Sequence, residues 1–178
     1  MKLYVMRHGT SVWNEQGKTQ GHSQNRLSKK GKELVENVAK KCEKIKFDII
    51  FCSPLMRAVQ SANIMNKSHK VKIVKDDRLI EIDQGVFTGR IYDELTPKEL
   101  VQKESRSSAY GMESYEHGYN RVNDFLNELK GLDYDNVLIV SHHFVTICID
   151  YILNKKGDFS LFEYNGDFKN GEMKLFEI

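Results

Sequence analysis

The sequence predicts an α/β fold of three layers, α/β/α, with a mostly parallel central sheet and a small helical cap inserted at about residues 86–112. Three observations carry that expectation. The runs KLYVM, FDIIFC and NVLIV are near-continuously apolar, as strands covered on both faces are. Segments of helical period alternate with them, which is the order that builds a parallel sheet. The chain has 178 residues, 40% hydrophobic and 29% charged, enough for the core of one domain spanning residues 1–178.

Each element has its own signal. KLYVM opens the chain as the first strand. From Ser28 to about Lys44, Leu34, Val35, Val38, Ala39 and Cys42 recur at helical spacing. FDIIFC (Phe47 to Cys52) is the second strand. Ser53 and Pro54 then read as a cap and a first helical residue for the helix through SPLMRAVQSANIM. Val71 to Val74 is a short strand candidate, and Thr96-Pro97 repeats the cap-plus-proline signal. Ser114 to about Lys130 is an amphipathic helix with Tyr115, Tyr119, Val122, Phe125, Leu126 and Leu129 on one face. NVLIV is the inner strand that follows, and FVTICIDYIL the helix after it. SLFEY and EMKLFEI, set off by glycine-containing turns, read as strands or a hairpin at a sheet edge.

Composition excludes several classes of function. A net charge of +2 is too small to indicate nucleic acid, and the lysines alternate with glutamates as on a solvated helix face. Cys42, Cys52 and Cys148 are widely separated with no C-x-x-C, so neither a disulfide framework nor a zinc site is expected. No apolar stretch approaches the ~20 residues of a membrane span, and mean hydropathy is −0.53. Met1-Lys2 runs directly into strand-like sequence, without a signal-like apolar region. The expectation is a cytoplasmic protein with no membrane or nucleic-acid partner; a homodimer is left open.

In open α/β sheets, ligands bind beyond the carboxyl ends of the strands. The first strand ends in Arg7-His8-Gly9, the second in Ser53-Pro54 with Arg57 one turn on, and the late strand in Ser141-His142-His143. Two arginines and two histidines are therefore expected at one edge. Guanidinium forks match phosphate oxygens in pairs, and a phosphoryl group in transfer spreads negative charge that positioned cations stabilise. A histidine among cations has its pKa lowered from about 6.5, so its neutral ring can attack phosphorus. Gly9 lets the backbone fold tightly beside that ring.

These residues resemble the histidine phosphatase superfamily, in its phosphoglycerate mutase-like branch. The R-H-G signature is Arg7-His8-Gly9, and RHGTSVWN supplies a downstream Asn14. S-P-x-x-R-A is Ser53 to Ala58, and L-x-E-x-x-x-G-x-F-x-G runs through Leu79, Glu81, Gly85, Phe87 and Gly89. GMES precedes the long helix, and V-S-H is Val140 to His142. The resemblance implies His8 as the nucleophile, with Arg7, Arg57 and His142 clamping the phosphoryl oxygens and Asn14 as a further donor. Glu81 is implied as general acid and then base, in a reaction that needs no metal and no cofactor. Gln20 and Gly21, in the loop TQGHSQ, resemble a substrate-side segment of the family. His22 shares that loop, while His69 and His117 read as solvated or structural.

The chain also departs from the family pattern. His143 stands where glycine is usual, on the substrate side, and Phe87 replaces a frequent tryptophan. The stretch RIYDELTPKELVQKESRSSAY is short and lacks the arginine cluster by which mutases grip a second acidic group. A short cap admits water, so hydrolysis of a small phosphate ester is favoured, α-ribazole phosphatase-like or broad in specificity. The alternatives are a cofactor-dependent phosphoglycerate mutase and a non-catalytic phospho-ligand-binding module.

Overall fold

The computed structural model describes residues 1–154 and 167–178; the expected strand SLFEY lies outside the described residues. Five strands, β1 (Lys2–Arg7), β2 (Ile49–Cys52), β3 (Lys72–Lys75), β4 (Asn136–Ser141) and β5 (Met173–Glu177), form one sheet in the order β3-β2-β4-β1-β5. The first four are mutually parallel, and β5 joins antiparallel at the edge beside β1. EMKLFEI is therefore an edge strand, as its position after a turn led one to expect.

Alternation along the strands divides the core in two. Leu3, Val5, Ile49, Phe51, Val137 and Ile139 face one side and pack on α5 (Tyr115–Leu129) and α6 (His143–Leu153). Met6, Ile50, Cys52, Leu138 and Val140 face the other, under α2 (Lys29–Cys42) and α3 (Met56–His69). Both faces of the inner strands are covered, which is why their sequences run apolar without a polar partner at every second residue.

Register brings the reactive strand ends level. Arg7 pairs with Ser141, and Cys52 with Val140, so the residues that follow, His8, His142 and Ser53, emerge side by side. Gly9 leads away from this edge beneath α2. A Cβ at Gly9 would stand 2.6 Å from the Gly31 carbonyl oxygen and from Val35, so only glycine fits this close approach.

Helix starts follow their caps with one correction. Ser28, Thr96 and Ser114 accept from the backbone N–H groups of Gly31, Glu99 and His117 to open α2, α4 (Pro97–Glu104) and α5. Ser53, however, does not cap α3, which begins at Met56 after Leu55. The Ser53 hydroxyl accepts from Leu55 N–H at 3.2 Å and lies 2.7 Å from His142 Nε2. Ser53-Pro54 is thus a turn between strand and helix, its serine engaged by a residue from another strand end. A four-residue helix not anticipated from sequence, α1 (Val12–Glu15), opens with a capping box between Ser11 and Asn14.

Residues from Gly85 to Met112 cross over the reactive edge as single 3₁₀ turns around α4. They share a small apolar centre of Phe87, Leu95 and Met112 with Leu100 and Tyr110 against it. Among the described residues no helix is long and apolar enough to cross a membrane.

Candidate active site

His8 stands just past β1, with 1% of its surface exposed. Its Nδ1 lies 2.7 Å from the carbonyl of Gly9, which can only accept, so the ring proton is on Nδ1 and the Nε2 lone pair is available. Arg57 Nε donates toward that lone pair at 3.3 Å. Burial, then the charges of Arg57 and Arg7, hold the His8 pKa well below the ordinary imidazole value. The ring is neutral at physiological pH. Sequence reasoning anticipated the cations, but burial is the larger cause.

Arg57 is fully buried on the first turn of α3. Its two terminal nitrogens donate to the carbonyls of Ser23 and Gly21 at 2.8 and 2.9 Å, tying the 21–23 loop over the site. Burial lowers its pKa to about 10 against the opposing charge of Glu81, so it stays cationic at neutral pH. Arg7 donates from Nη1 to the Phe168 carbonyl at 2.6 Å and faces the cleft described below.

The ring of His142 meets that of His8 edge-on, with centroids 5.1 Å apart. Ser53 Oγ, already accepting from Leu55, can donate its own proton to His142 Nε2; in that tautomer the ring proton is on Nδ1. That Nδ1 is buried with no hydrogen-bond partner among the described residues. Burial, then Arg57, lower the pKa of His142 well below the ordinary value. A neutral ring with an unsatisfied donor is suited to meet an anionic oxygen.

Glu81 follows a 3₁₀ turn (Asp77–Leu79). Its Oε1 accepts from Ile82 N–H at 3.0 Å and from Phe144 N–H, in the first turn of α6, at 3.3 Å. The carboxylate is thereby anchored at a helix N-terminus, where negative charge is favoured, two residues from His142. Its backbone carbonyl lies 2.8 Å from His22 Nε2.

Beside Arg7 and Glu81 opens a cleft of about 360 Å³, of which His8, Arg57 and His142 are not lining residues. Arg7, Gln20, Gly21, Glu81 and His143 line it; so do Lys18, Tyr92 and Lys103, which sequence reasoning did not single out. Gln20 Oε1 accepts from Ser11 Oγ at 2.8 Å and from Asn25 Nδ2 at 3.0 Å. Asn14 is not among the residues lining the cleft. Its Oδ1 accepts from the Ser11 N–H at 3.0 Å and lies 3.0 Å from the Ser11 hydroxyl oxygen, so its amide nitrogen is the group that could donate to a ligand. His143 is the first residue of α6 and does not need positive φ, so its place in a usual glycine position strains nothing.

A partly buried polar clamp that the sequence did not reveal braces the segment bearing Glu81. Arg121 donates to both Glu113 oxygens at 2.8 and 3.0 Å and to the Arg78 carbonyl at 2.7 Å. Glu113 Oε2 accepts from Asp83 N–H at 3.2 Å. Burial opposes the Glu113 charge, but Arg121 outweighs it and the carboxyl lies below its usual range. Arg106, at φ +49°, bonds the carbonyls of Asp83 and Glu113 and the Gln84 side chain. GMES was legible as a motif, yet the partners of its glutamate come from distant segments.

An α/β edge carrying two neutral buried histidines, two arginines and one carboxylate defines a phosphoryl-handling class of protein. Comparison narrows the class, for the sequence matches the histidine phosphatase superfamily (branch 1) over residues 3–163. The chain belongs to that superfamily, whose members are phosphatases or mutases. It is 31% identical over 151 residues to phosphoserine phosphatase 1 of Hydrogenobacter thermophilus, covering 82% of this chain and 72% of that one. It is 30% identical over 156 residues to a probable phosphoglycerate mutase GpmB of Escherichia coli O1:K1, covering 84% and 73%. Among solved structures, Bacillus stearothermophilus YhfR superposes with a TM-score of 0.87 at 22% identity, covering 99% of this chain and 91% of that one. The α-ribazole phosphatase of Shigella flexneri gives 0.74 at 26%, covering 86% and 79%.

Proposed function

We propose that the protein hydrolyses a small phosphate monoester through a phosphohistidine on His8, without a metal. The observation that carries this reading is the neutral His8 ring, its Nε2 lone pair held toward Arg57, one residue from Arg7, which lines the cleft. As substrate enters, Arg57 Nε–H passes from that lone pair to a phosphoryl oxygen, and Arg7 and His142 Nδ1 meet the others. His8 Nε2 attacks phosphorus and the ester C–O–P bond breaks at P–O. Glu81, carrying a proton, gives it to the departing alkoxide oxygen. Glu81 then takes a proton from water, whose oxygen attacks phosphorus and breaks the N–P bond. Inorganic phosphate leaves and His8 is restored.

Hydrolysis is favoured over mutase activity by the cap, whose only α-helix is the eight-residue α4, and by the phosphatase relatives. The resemblance to a probable mutase makes phosphoryl return the second reading; it requires isomerisation stimulated by bisphosphoglycerate to outrun phosphate release. A binding module would have no use for Glu81. The relatives' names differ in substrate, so the likeness carries the reaction rather than the ester.

A phosphate-release screen over metabolite monoesters with chelator present, wild type against His8→Ala, tests the proposal. Turnover by the wild type only is expected, with an acid-labile, base-stable 32P adduct absent from the variant. Turnover abolished by chelator, or unchanged in His8→Ala, would overturn it.

A further inference from the structure

The partners of both His8 nitrogens lead back to one hydroxyl. Nδ1–H donates to the Gly9 carbonyl at 2.7 Å, and Arg57 Nε–H is directed at Nε2 at 3.3 Å. Gly9 N–H donates to Ser61 Oγ at 3.1 Å, and the Ser61 hydroxyl donates to the Arg57 carbonyl at 2.8 Å. His8, Gly9, Ser61 and Arg57 thus close a circuit of hydrogen bonds, with Ser61 as the link between the nucleophile's loop and the helix of the arginine.

Ser61 lies in α3, one turn beyond Arg57, and is fully buried. A serine within a helix commonly returns its hydroxyl to the carbonyl four residues back, and Ser61 does so. The donor it accepts from is what sets it apart: the amide of a residue 52 positions away, the one that follows the nucleophile. That amide shares a peptide plane with the His8 carbonyl, which accepts from Asn170 Nδ2 and from Gly171 N–H, both at 3.1 Å. The peptide between His8 and Gly9 is therefore anchored at both ends, by α3 on one and by the 170–171 turn on the other. Glycine has the freest backbone of any residue, so anchors outside it must fix where its carbonyl meets Nδ1.

We propose that Ser61 is a positioning residue for phosphoryl transfer: its hydroxyl ties the peptide after His8 to the helix of Arg57, so that the attacking Nε2 and the guanidinium stand in fixed relation. This rests on the phosphohistidine reading above and goes beyond it, since Ser61 does not line the cleft and acts only through His8 and Arg57. Without the hydroxyl, Gly9 N–H is buried with its acceptor gone, which the chain relieves by moving. The Gly9 carbonyl then turns from Nδ1, and the ring proton is no longer confined to that nitrogen. Arg57 keeps its bonds to the Ser23 and Gly21 carbonyls, so the loss falls on attack rather than on binding.

The test compares wild type with Ser61→Ala, Ser61→Thr and Ser68→Ala, the last on the exposed side of the same helix. Two quantities are read: kcat and KM per folded protein on the ester turned over fastest, and the tautomer of the His8 ring by 15N NMR at neutral pH. Wild type is expected to show one His8 tautomer, with the proton on Nδ1. Ser61→Ala should lower kcat by roughly 10- to 100-fold, the cost of misplacing a reacting atom by an ångström or less, with KM changing far less, and should show both tautomers. Ser61→Thr, which keeps the hydroxyl, should restore most of kcat and the single tautomer, and Ser68→Ala should match wild type in both. Should Ser61→Ala fail to accumulate as folded protein, Ser61→Cys, whose thiol makes both bonds only weakly, should give a smaller change in the same direction. Wild-type kcat in the variant lacking the hydroxyl, or a fall in kcat with the His8 tautomer unchanged, would overturn the positioning role while leaving the hydrolase intact; so would mixed tautomers in the wild type. No turnover of any ester would overturn the hydrolase reading instead, and Ser61 would then stand or fall on the tautomer alone.

Discussion

At the scale of single residues, the site separates its duties by environment. His8 and His142 are both sealed from water and neutral, Arg57 is sealed yet still cationic, and Glu81 reaches the cleft wall. Arg57 serves three partners at once, His8 and two loop carbonyls, so nucleophile and loop share one anchor. Glu81 admits a clean test of its part. An acid is needed in proportion to the basicity of the oxygen that leaves. Glu81→Gln should therefore slow alkyl phosphates by about 10²- to 10⁴-fold and p-nitrophenyl phosphate, whose leaving group needs little protonation, far less. Equal losses on the two ester types would point to a positional role for Glu81 and remove it as the proton donor.

At the scale of elements, what sequence shows depends on how far apart the partners lie. Ser28, Thr96-Pro97 and Ser114 were legible as helix starts because their partners are three residues away. Ser53-Pro54 carried the same local signal and was misread, because Ser53 bonds His142, 89 residues distant. The strand-end residues were legible since parallel strands finish at one edge whatever their order. Lys18, Lys103 and the Arg106–Glu113–Arg121 clamp were not, being exposed-looking charges until tertiary structure gathers them. That clamp fixes the segment bearing Glu81, which yields a measurable consequence. Glu113→Gln keeps the shape but removes the charge facing Arg121, whose side chain is only 12% exposed. Stability to urea should fall by about 3 kcal/mol. As residues 78–84 shift, kcat should drop roughly 10- to 100-fold with KM less affected. An unchanged urea midpoint would show that Arg121 finds its compensation in water, and the clamp would then have no part in holding Glu81.

At the scale of the whole molecule, burying two imidazoles among cations links stability to pH. In the unfolded chain each histidine titrates near 6.5; in the folded protein His8 and His142 are held well below that, by burial first and the arginines next. Below pH 6.5 the unfolded chain therefore binds protons that the folded one refuses. Their contribution is complete above the unfolded value and is lost as pH falls toward the folded ones, at up to about 1.4 kcal/mol per histidine per pH unit. His69, also lowered by burial, adds in the same direction. Asp76 and Glu113, whose pKa values lie below the usual carboxylate range, keep their contributions until pH falls below about 4, so the loss between pH 6.5 and 5 belongs to the imidazoles. Urea midpoints for wild type should accordingly decline across that interval, and His142→Asn should lower the slope by roughly a third to a half. Activity should hold at first where stability declines: His8 Nε2 stays unprotonated below pH 6.5, so the acid limb of kcat/KM should begin well under that value. A stability flat from pH 7.5 to 5 would mean that the folded protein protonates these rings as readily as the open chain does. The neutral nucleophile, and with it the arrangement of charge around phosphorus, would then have to be abandoned.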